Sequence, residues 1–169
     1  MTADRFRQAM RRWATGVSVL TLRDGNEVRG ITISSFTSVS LEPPLVLACI
    51  DRRARIHDAV LRCARFAISV LAAGQDALAD RFASRPGAVA APVRFAFTPR
   101  GTPYLPVGLA WFDCSRVAAH EAGDHTIIIA RVNEARVAGG CEPLLYVDGG
   151  YAGVQHPVSG SSPRERVVR

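Results

Sequence analysis

Gly30-Ile31-Thr32-Ile33-Ser34-Ser35-Phe36-Thr37-Ser38-Val39-Ser40-Leu41-Glu42-Pro43-Pro44 is the stretch whose reading decides the fold. Its first four residues close a strand. A dense series of small hydroxyl residues around Phe36 then predicts a loop over residues 34–40. Two prolines with fixed φ make residues 41–44 a rigid, extended lead-in. That lead-in opens onto the apolar run Leu45-Val46-Leu47-Ala48-Cys49-Ile50, which reads as a buried strand.

Outward on the amino-terminal side, Val17, Val19 and Thr21 alternate before the turn Asp24-Gly25-Asn26, and residues 27–33 return as a second strand. This pattern predicts a hairpin. Ahead of it, Phe6, Ala9, Met10 and Trp13 recur at helical spacing behind a cap at Thr2 or Asp4, with Gly16 as a stop. An amphipathic helix follows, whose apolar stripe is expected to pack on a sheet.

On the carboxyl-terminal side, short helices are expected near residues 56–62 and 75–82, with a strand over 66–71 between them. Residues 83–92, rich in Ala, Pro and Gly, read as an exposed loop. Strands are expected over 93–97, 108–121, 125–137 and 144–154, the middle pair joined at Ala122-Gly123-Asp124. The chain is therefore mainly β with short helices. Many strands joined by short turns argue for a closed or nearly closed barrel that removes its sheet edges. Residues 1–154 form one domain in this reading, and residues 155–169 a tail with little to bury.

Composition narrows the function. With 48% hydrophobic and 21% charged residues, the 169-residue chain has the profile of an ordinary globular domain. The net charge of +6 comes from 21 arginines and no lysine, a bias of composition. These arginines are scattered from Arg5 to Arg169 with no run longer than two, unlike the clustered face of a nucleic-acid binder. Cys49, Cys63, Cys114 and Cys141 lack metal-ligand spacing and read as reduced, mostly buried thiols. Without a run of about 18 apolar residues, and with Asp4, Arg5, Arg7, Arg11 and Arg12 near the start, a cytoplasmic location without membrane or nucleic acid is expected.

Several segments carry possible chemistry. The hydroxyl series offers many donors in little volume. That suits a flavin, flat and apolar on its faces with carbonyls and nitrogens along its edge, and it equally suits a solvated turn. Asp51-Arg52-Arg53-Ala54-Arg55 leads into a short helix and can be read as a phosphate holder or as a charged turn. Arg81-Phe82 is a weaker candidate of the same kind. His120-Glu121-Ala122-Gly123-Asp124-His125 has the wrong spacing for a zinc protease, and Gly123-Asp124 would break the helix such a site needs, so no metal is assigned. His125 instead starts a strand, with its imidazole able to meet a ligand. No GxGxxG, GxxxxGKS/T or GxSxG occurs, so a Rossmann site, a P-loop and a hydrolase elbow are unsupported.

The hydroxyl segment with its diproline resembles the flavin reductase-like family, the short-chain reductase component of two-component flavin monooxygenases. Ala122-Gly123-Asp124-His125-Thr126-Ile127, running into Ala130-Arg131-Val132, is similar to its glycine-aspartate-histidine motif. Pro143-Leu144-Leu145-Tyr146 with Gly149-Gly150-Tyr151 resembles its final strand pair. The resemblance implies an FMN-binding split barrel of six to seven strands with Greek-key-like order, a homodimer, and NADH or NADPH reducing FMN or FAD for a separate monooxygenase. It implies that Thr32, Ile33, Ser34, Ser35, Ser38, Val39 and Ser40 line the flavin ring and ribityl chain. Cys49, Ile50, Asp51, Ala54 and Arg55 would surround the phosphate, Arg81 and Phe82 would complete that end, and His125 with Tyr151 would flank the nicotinamide. Serine is frequent in the family where this chain has Ala54, which leaves Arg55 to compensate. A basic residue is frequent where it has Asp148, which bears on NADH against NADPH. In the reaction so implied, hydride passes from nicotinamide C4 to flavin N5 with the rings about 3.5 Å apart, and the protein positions them.

Three other functions fit the same residues less fully: an oxidase with fixed FMN, a flavin- or haem-binding module without turnover, and a basic protein that binds an acidic partner.

Overall fold

A computed structural model describes residues 1–83 and 92–154 of the chain. The expected loop over 83–92 falls largely outside the described residues, as does the tail over 155–169.

The elements run α1 (Ala3–Arg11), β1 (Thr15–Gly16), β2 (Ser18–Asp24), β3 (Glu27–Ile33), β4 (Thr37–Leu41), β5 (Pro44–Asp51), α2 (His57–Arg62), β6 (Arg65–Val70), α3 (Asp76–Phe82), β7 (Ala96–Phe97), β8 (Pro103–Tyr104), β9 (Ala110–Ala122), β10 (His125–Val137), β11 (Leu145–Val147) and β12 (Gly150–Ala152). Seven strands form one antiparallel sheet in the order β3-β2-β6-β9-β10-β5-β4. Bulges in the β9–β10 pairing, beside Ile129 and Val132, let the sheet curl.

The curl brings β3 back toward β5, and only residues 34–36 separate β3 from β4. Ser35 seals this gap: its Oγ donates to the Cys49 carbonyl at 3.0 Å and accepts from the Cys49 N–H at 2.9 Å, beyond the last β4–β5 pair. A side chain thus replaces a strand at the split in the barrel. The interior holds Leu20, Leu22, Val46, Ala48, Ile50, Phe66, Ile68, Ile128 and Ala130, with α2 plugging one mouth through Ile56, Ala59 and Val60. Each fully buried Val, Leu, Ile or Phe side chain here contributes about 1.5–3 kcal/mol.

β2 is buried on both faces, because a second apolar layer of Val17, Val19, Leu71, Ala79, Leu105 and Leu144 covers its outer side. The alternation expected from Val17 to Thr21 is therefore absent. α3 belongs to this layer and is pinned by Thr32, whose Oγ1 donates to the Ala79 carbonyl at 2.6 Å.

The predicted hairpin, the two central long strands and all three helices are present. Three expectations are corrected. Residues 37–40 of the expected loop form β4 together with Leu41, because paired backbone to β5 satisfies their N–H and C=O groups, and in place of the extended lead-in over 41–44 the chain reverses at Glu42 and Pro43, whose peptide bond is cis. The segments expected as strands over 93–97 and 144–154 hold only β7 in the first and the pair β11–β12 in the second, folded at Asp148-Gly149 with both residues at positive φ. Finally, α1 buries none of its residues: Thr2 caps it, accepting from the Arg5 N–H at 3.4 Å, but Phe6, Met10 and Trp13 stay exposed. Among the described residues no helix is long and apolar enough to cross a membrane.

The cysteines also differ from expectation. All four are free, yet only Cys114 is buried; Cys49 and Cys63 are half-buried and Cys141 is exposed.

Candidate active site

A cleft of about 550 Å³ opens between β3, the turn after β5 and the end of α3. Its walls are Arg29, Gly30 and Ile31 on one side, Arg53, Ala54, Arg55 and Ile56 on the second, and Arg81, Phe82 and Ala83 on the third. Four predicted residues, Ala54, Arg55, Arg81 and Phe82, thus meet although far apart in sequence.

Four arginines on one cleft have the chemistry that suits an anion, since guanidinium forks can bind phosphate oxygens in pairs. Two are held by acids at the edge. Arg29 meets Asp24 at 3.2 Å and Glu27 at 3.5 Å, and Arg53 meets Asp51 at 2.9 Å. The Asp51 side chain also accepts from the Arg53 backbone N–H at 2.8 Å. These bonds hold the Asp51 carboxyl down at about 2 and push the Arg53 guanidinium upward. Among the described residues Arg55 has no hydrogen bond or ion pair with the protein. Gly30 leaves room for Phe82: a Cβ there would lie 2.7 Å from two atoms of its ring.

A smaller pocket of about 180 Å³ gathers Thr32, Ile33, Ser34 and Tyr151, with Val17, Ala83 and Tyr146. Its donors are fewer than the sequence suggests. The Thr32 hydroxyl is bonded to α3 and that of Ser35 to Cys49, Ile33 packs in the barrel core, and the Tyr151 hydroxyl donates to Asp80 at 2.7 Å. Ser34 is left with an exposed hydroxyl.

His125 lines neither space. Its Nδ1 lies 2.7 Å from Asp124 Oδ1, so the carboxylate accepts and Nε2 is directed away. This bond and the imidazole's charge draw the Asp124 carboxyl below its usual range. In register, His125 stands opposite Asp51, so the histidine and the Asp51–Arg53 pair share one end of the β5–β10 ladder. The 120–125 segment is a hairpin turn, with Gly123 at φ 63°.

Ser38, Val39 and Ser40 lie apart, on edge strand β4, with Val39 the extra residue of a bulge and half exposed. Of the predicted residues in β5, Ile50 faces the core and half-buried Cys49 is bound to Ser35 through its backbone, while burial alone raises its thiol pKa. The single chain therefore presents the predicted residues in four places: the arginine cleft, the smaller pocket, the His125–Asp51 end of the β5–β10 ladder, and the edge strand β4. Arg29 and Gly30 went unassigned in the sequence because nothing local marks a strand residue as facing a helix formed fifty residues later. Arg53 was visible within its charged run.

Residues 10–155 match the family model described as flavin reductase like domain. The FMN reductase (NADH) SmoA of Agrobacterium fabrum is 41% identical over 146 residues, covering 86% of this chain and 83% of that protein. The flavin-dependent monooxygenase reductase subunit HsaB of Rhodococcus jostii is 36% identical over 151 residues, covering 89% and 77%. Among solved structures, the flavin reductase PheA2 superposes with a TM-score of 0.87 at 33% identity, covering 92% of this chain and all of that one.

Proposed function

The chain belongs to the flavin reductase-like domain family, and on that premise we propose that it is an NAD(P)H-dependent flavin reductase supplying reduced FMN or FAD to a separate monooxygenase. The observation that carries this reading is the four-arginine cleft beside Phe82. Its donor set fits a flavin phosphate, and a ring plane can pack on Phe82 and Ile31. Bound flavin supplies the hydride-accepting centre that the side chains lack.

In this reading Arg55, with Arg29, Arg53 and Arg81, holds the phosphate. Ser34 and the backbone of Thr32 and Ile33 meet the polar edge of the ring. Asp124 fixes the His125 ring so that Nε2 is offered to the nicotinamide, an orienting role without proton transfer. Tyr151 stands beside Ser34 in the smaller pocket of the same chain, and Ser38, Val39 and Ser40 join the site from the second chain of a homodimer. Support for the dimer comes from large apolar side chains left exposed, Phe6, Met10 and Trp13 along α1 and Leu41, 88% exposed, on the β4 edge. The free thiols accord with the cytoplasm.

The test is oxidation of NADH and NADPH with FMN, FAD and riboflavin in excess. Charge-assisted bonds to phosphate are worth about 1.5–3 kcal/mol, so FMN should have a KM about tenfold or more below that of riboflavin. Absence of oxidation with any flavin would refute the reading.

A further inference from the structure

His57 is buried at the start of α2, its side chain 10% exposed, and both ring nitrogens are engaged. Nδ1 lies 3.2 Å from Asp58 Oδ1 and Nε2 lies 2.9 Å from Thr126 Oγ1. A carboxylate only accepts, so Nδ1 carries the hydrogen toward Asp58 and Nε2 accepts from the Thr126 hydroxyl. A buried imidazole without partners would be costly, and an apolar side chain would fill the barrel mouth as well. The histidine is therefore doing something that packing alone does not require.

Its position says what. From β5 to α2 the chain makes two successive turns, in which the Ala54 N–H bonds the Asp51 carbonyl and the His57 N–H bonds the Ala54 carbonyl, each at 2.9 Å. These turns present Arg53, Ala54 and Arg55 to the cleft. Two hydrogen bonds and one exposed ion pair fasten them to the β9–β10 hairpin: Arg52 N–H to the Asp124 carbonyl at 3.0 Å, His57 to Thr126, and the Arg52 guanidinium to the Glu121 carboxylate at 3.6 Å. Asp124 and Thr126 are the two chain neighbours of His125. α2 has only six residues and no side-chain cap, so it cannot hold the turns by itself.

We infer that His57 is a positioning residue that, through Thr126, locks the arginine wall of the cleft to the strand start bearing His125. The inference rests on the reductase reading for what the two halves hold. Alternation along β10 turns Thr126 into the barrel and His125 outward, so the link acts from behind the site without touching a ligand.

The experiment measures dissociation constants of FMN and riboflavin by flavin fluorescence quenching, and NADH KM and kcat at saturating FMN, in Thr126→Val, Thr126→Ser and His57→Gln. Thr126→Val keeps the shape of the side chain and removes the hydroxyl. It should weaken FMN about 5–10-fold, the scale of one lost buried hydrogen bond, and riboflavin by less than about twofold, because only FMN reaches the arginine wall. NADH KM should rise with it while kcat changes less. Thr126→Ser and His57→Gln, which can still form the bond, should return both affinities to near the wild-type values. Equal weakening of FMN and riboflavin, or failure of the serine variant to rescue, would reduce His57 to a purely structural role and overturn the inference. A wild-type chain that binds FMN yet never oxidises NADH would count against the reductase reading, and the FMN-to-riboflavin ratio in Thr126→Val would still decide the role of His57.

Discussion

Gly30→Ala tests the geometry of the cleft wall directly. A methyl group at position 30 would stand 2.7 Å from Phe82 Cδ1 and Cε1 and 3.2 Å from the Leu20 carbonyl oxygen. Carbon pairs prefer about 3.5–4.0 Å, so the ring must retreat by roughly 1 Å. It cannot do so freely, since Phe82 packs edge-on against Phe95 at 6.3 Å and closes the outer apolar layer. Overpacking of this kind costs about 1–3 kcal/mol. Against it stands the stiffer unfolded chain, worth about 0.4–1 kcal/mol to the alanine variant. The net expectation is a loss of about 1–2 kcal/mol, which for a domain of this size lowers Tm by about 2–8 °C. Thermal unfolding followed by circular dichroism measures it. Because Phe82 also lines the cleft, FMN affinity should fall in the same variant. Adding Phe82→Leu should recover part of the loss, with a coupling of at least about 0.5 kcal/mol. A Gly30→Ala protein as stable as wild type, with unchanged FMN affinity, would show that glycine is not there to admit the ring.

His125→Ala should raise NADH KM or slow flavin reduction by about tenfold while FMN binding persists, as an orienting residue outside the phosphate cleft requires; stopped-flow reduction at saturating FMN checks it, and unchanged kinetics would remove His125 from the site. Asp51 should titrate near 2 by carboxyl carbon NMR, and Arg53→Gln should return it toward the usual value of 3.8. Since its folded-state value is depressed, the stabilisation from this pair is present above about pH 4 and lost as pH falls toward 2, so FMN affinity should be flat through this pair between about pH 8 and pH 5. With thiol reagent at pH 8, exposed Cys141 should react fast. Burial raises the thiol pKa of Cys49 and Cys63 and pushes that of Cys114 to about 12, so these should react slowly until the protein unfolds.

Local rules carried much of the fold into view. Gly25-Asn26 and Gly123-Asp124 sit between alternating runs, and two-residue turns of that chemistry commit their flanks to hairpins wherever they occur. The charged turn at residues 51–55 was visible for the same reason: arginines beside a helix start offer phosphate contacts in any context. Serine and threonine suit both turns and edge strands, so residues 37–40 read locally as part of a loop, and only pairing with β5 makes them a strand.

The sequence by itself determined the class of the fold, the hairpin pairs and, through its resemblance, the chemistry expected at residues 30–55 and 125. Tertiary structure alone decided which hydroxyls remain available, since Thr32 bonds a helix carbonyl 47 residues away and Ser35 a strand at the barrel split. It alone brought Arg29 and Arg81 to one cleft and His57 to Thr126, 69 residues apart. Turn and strand preferences act over a few neighbouring residues, whereas the partner of a buried polar group is set by where distant strands meet when the sheet curls.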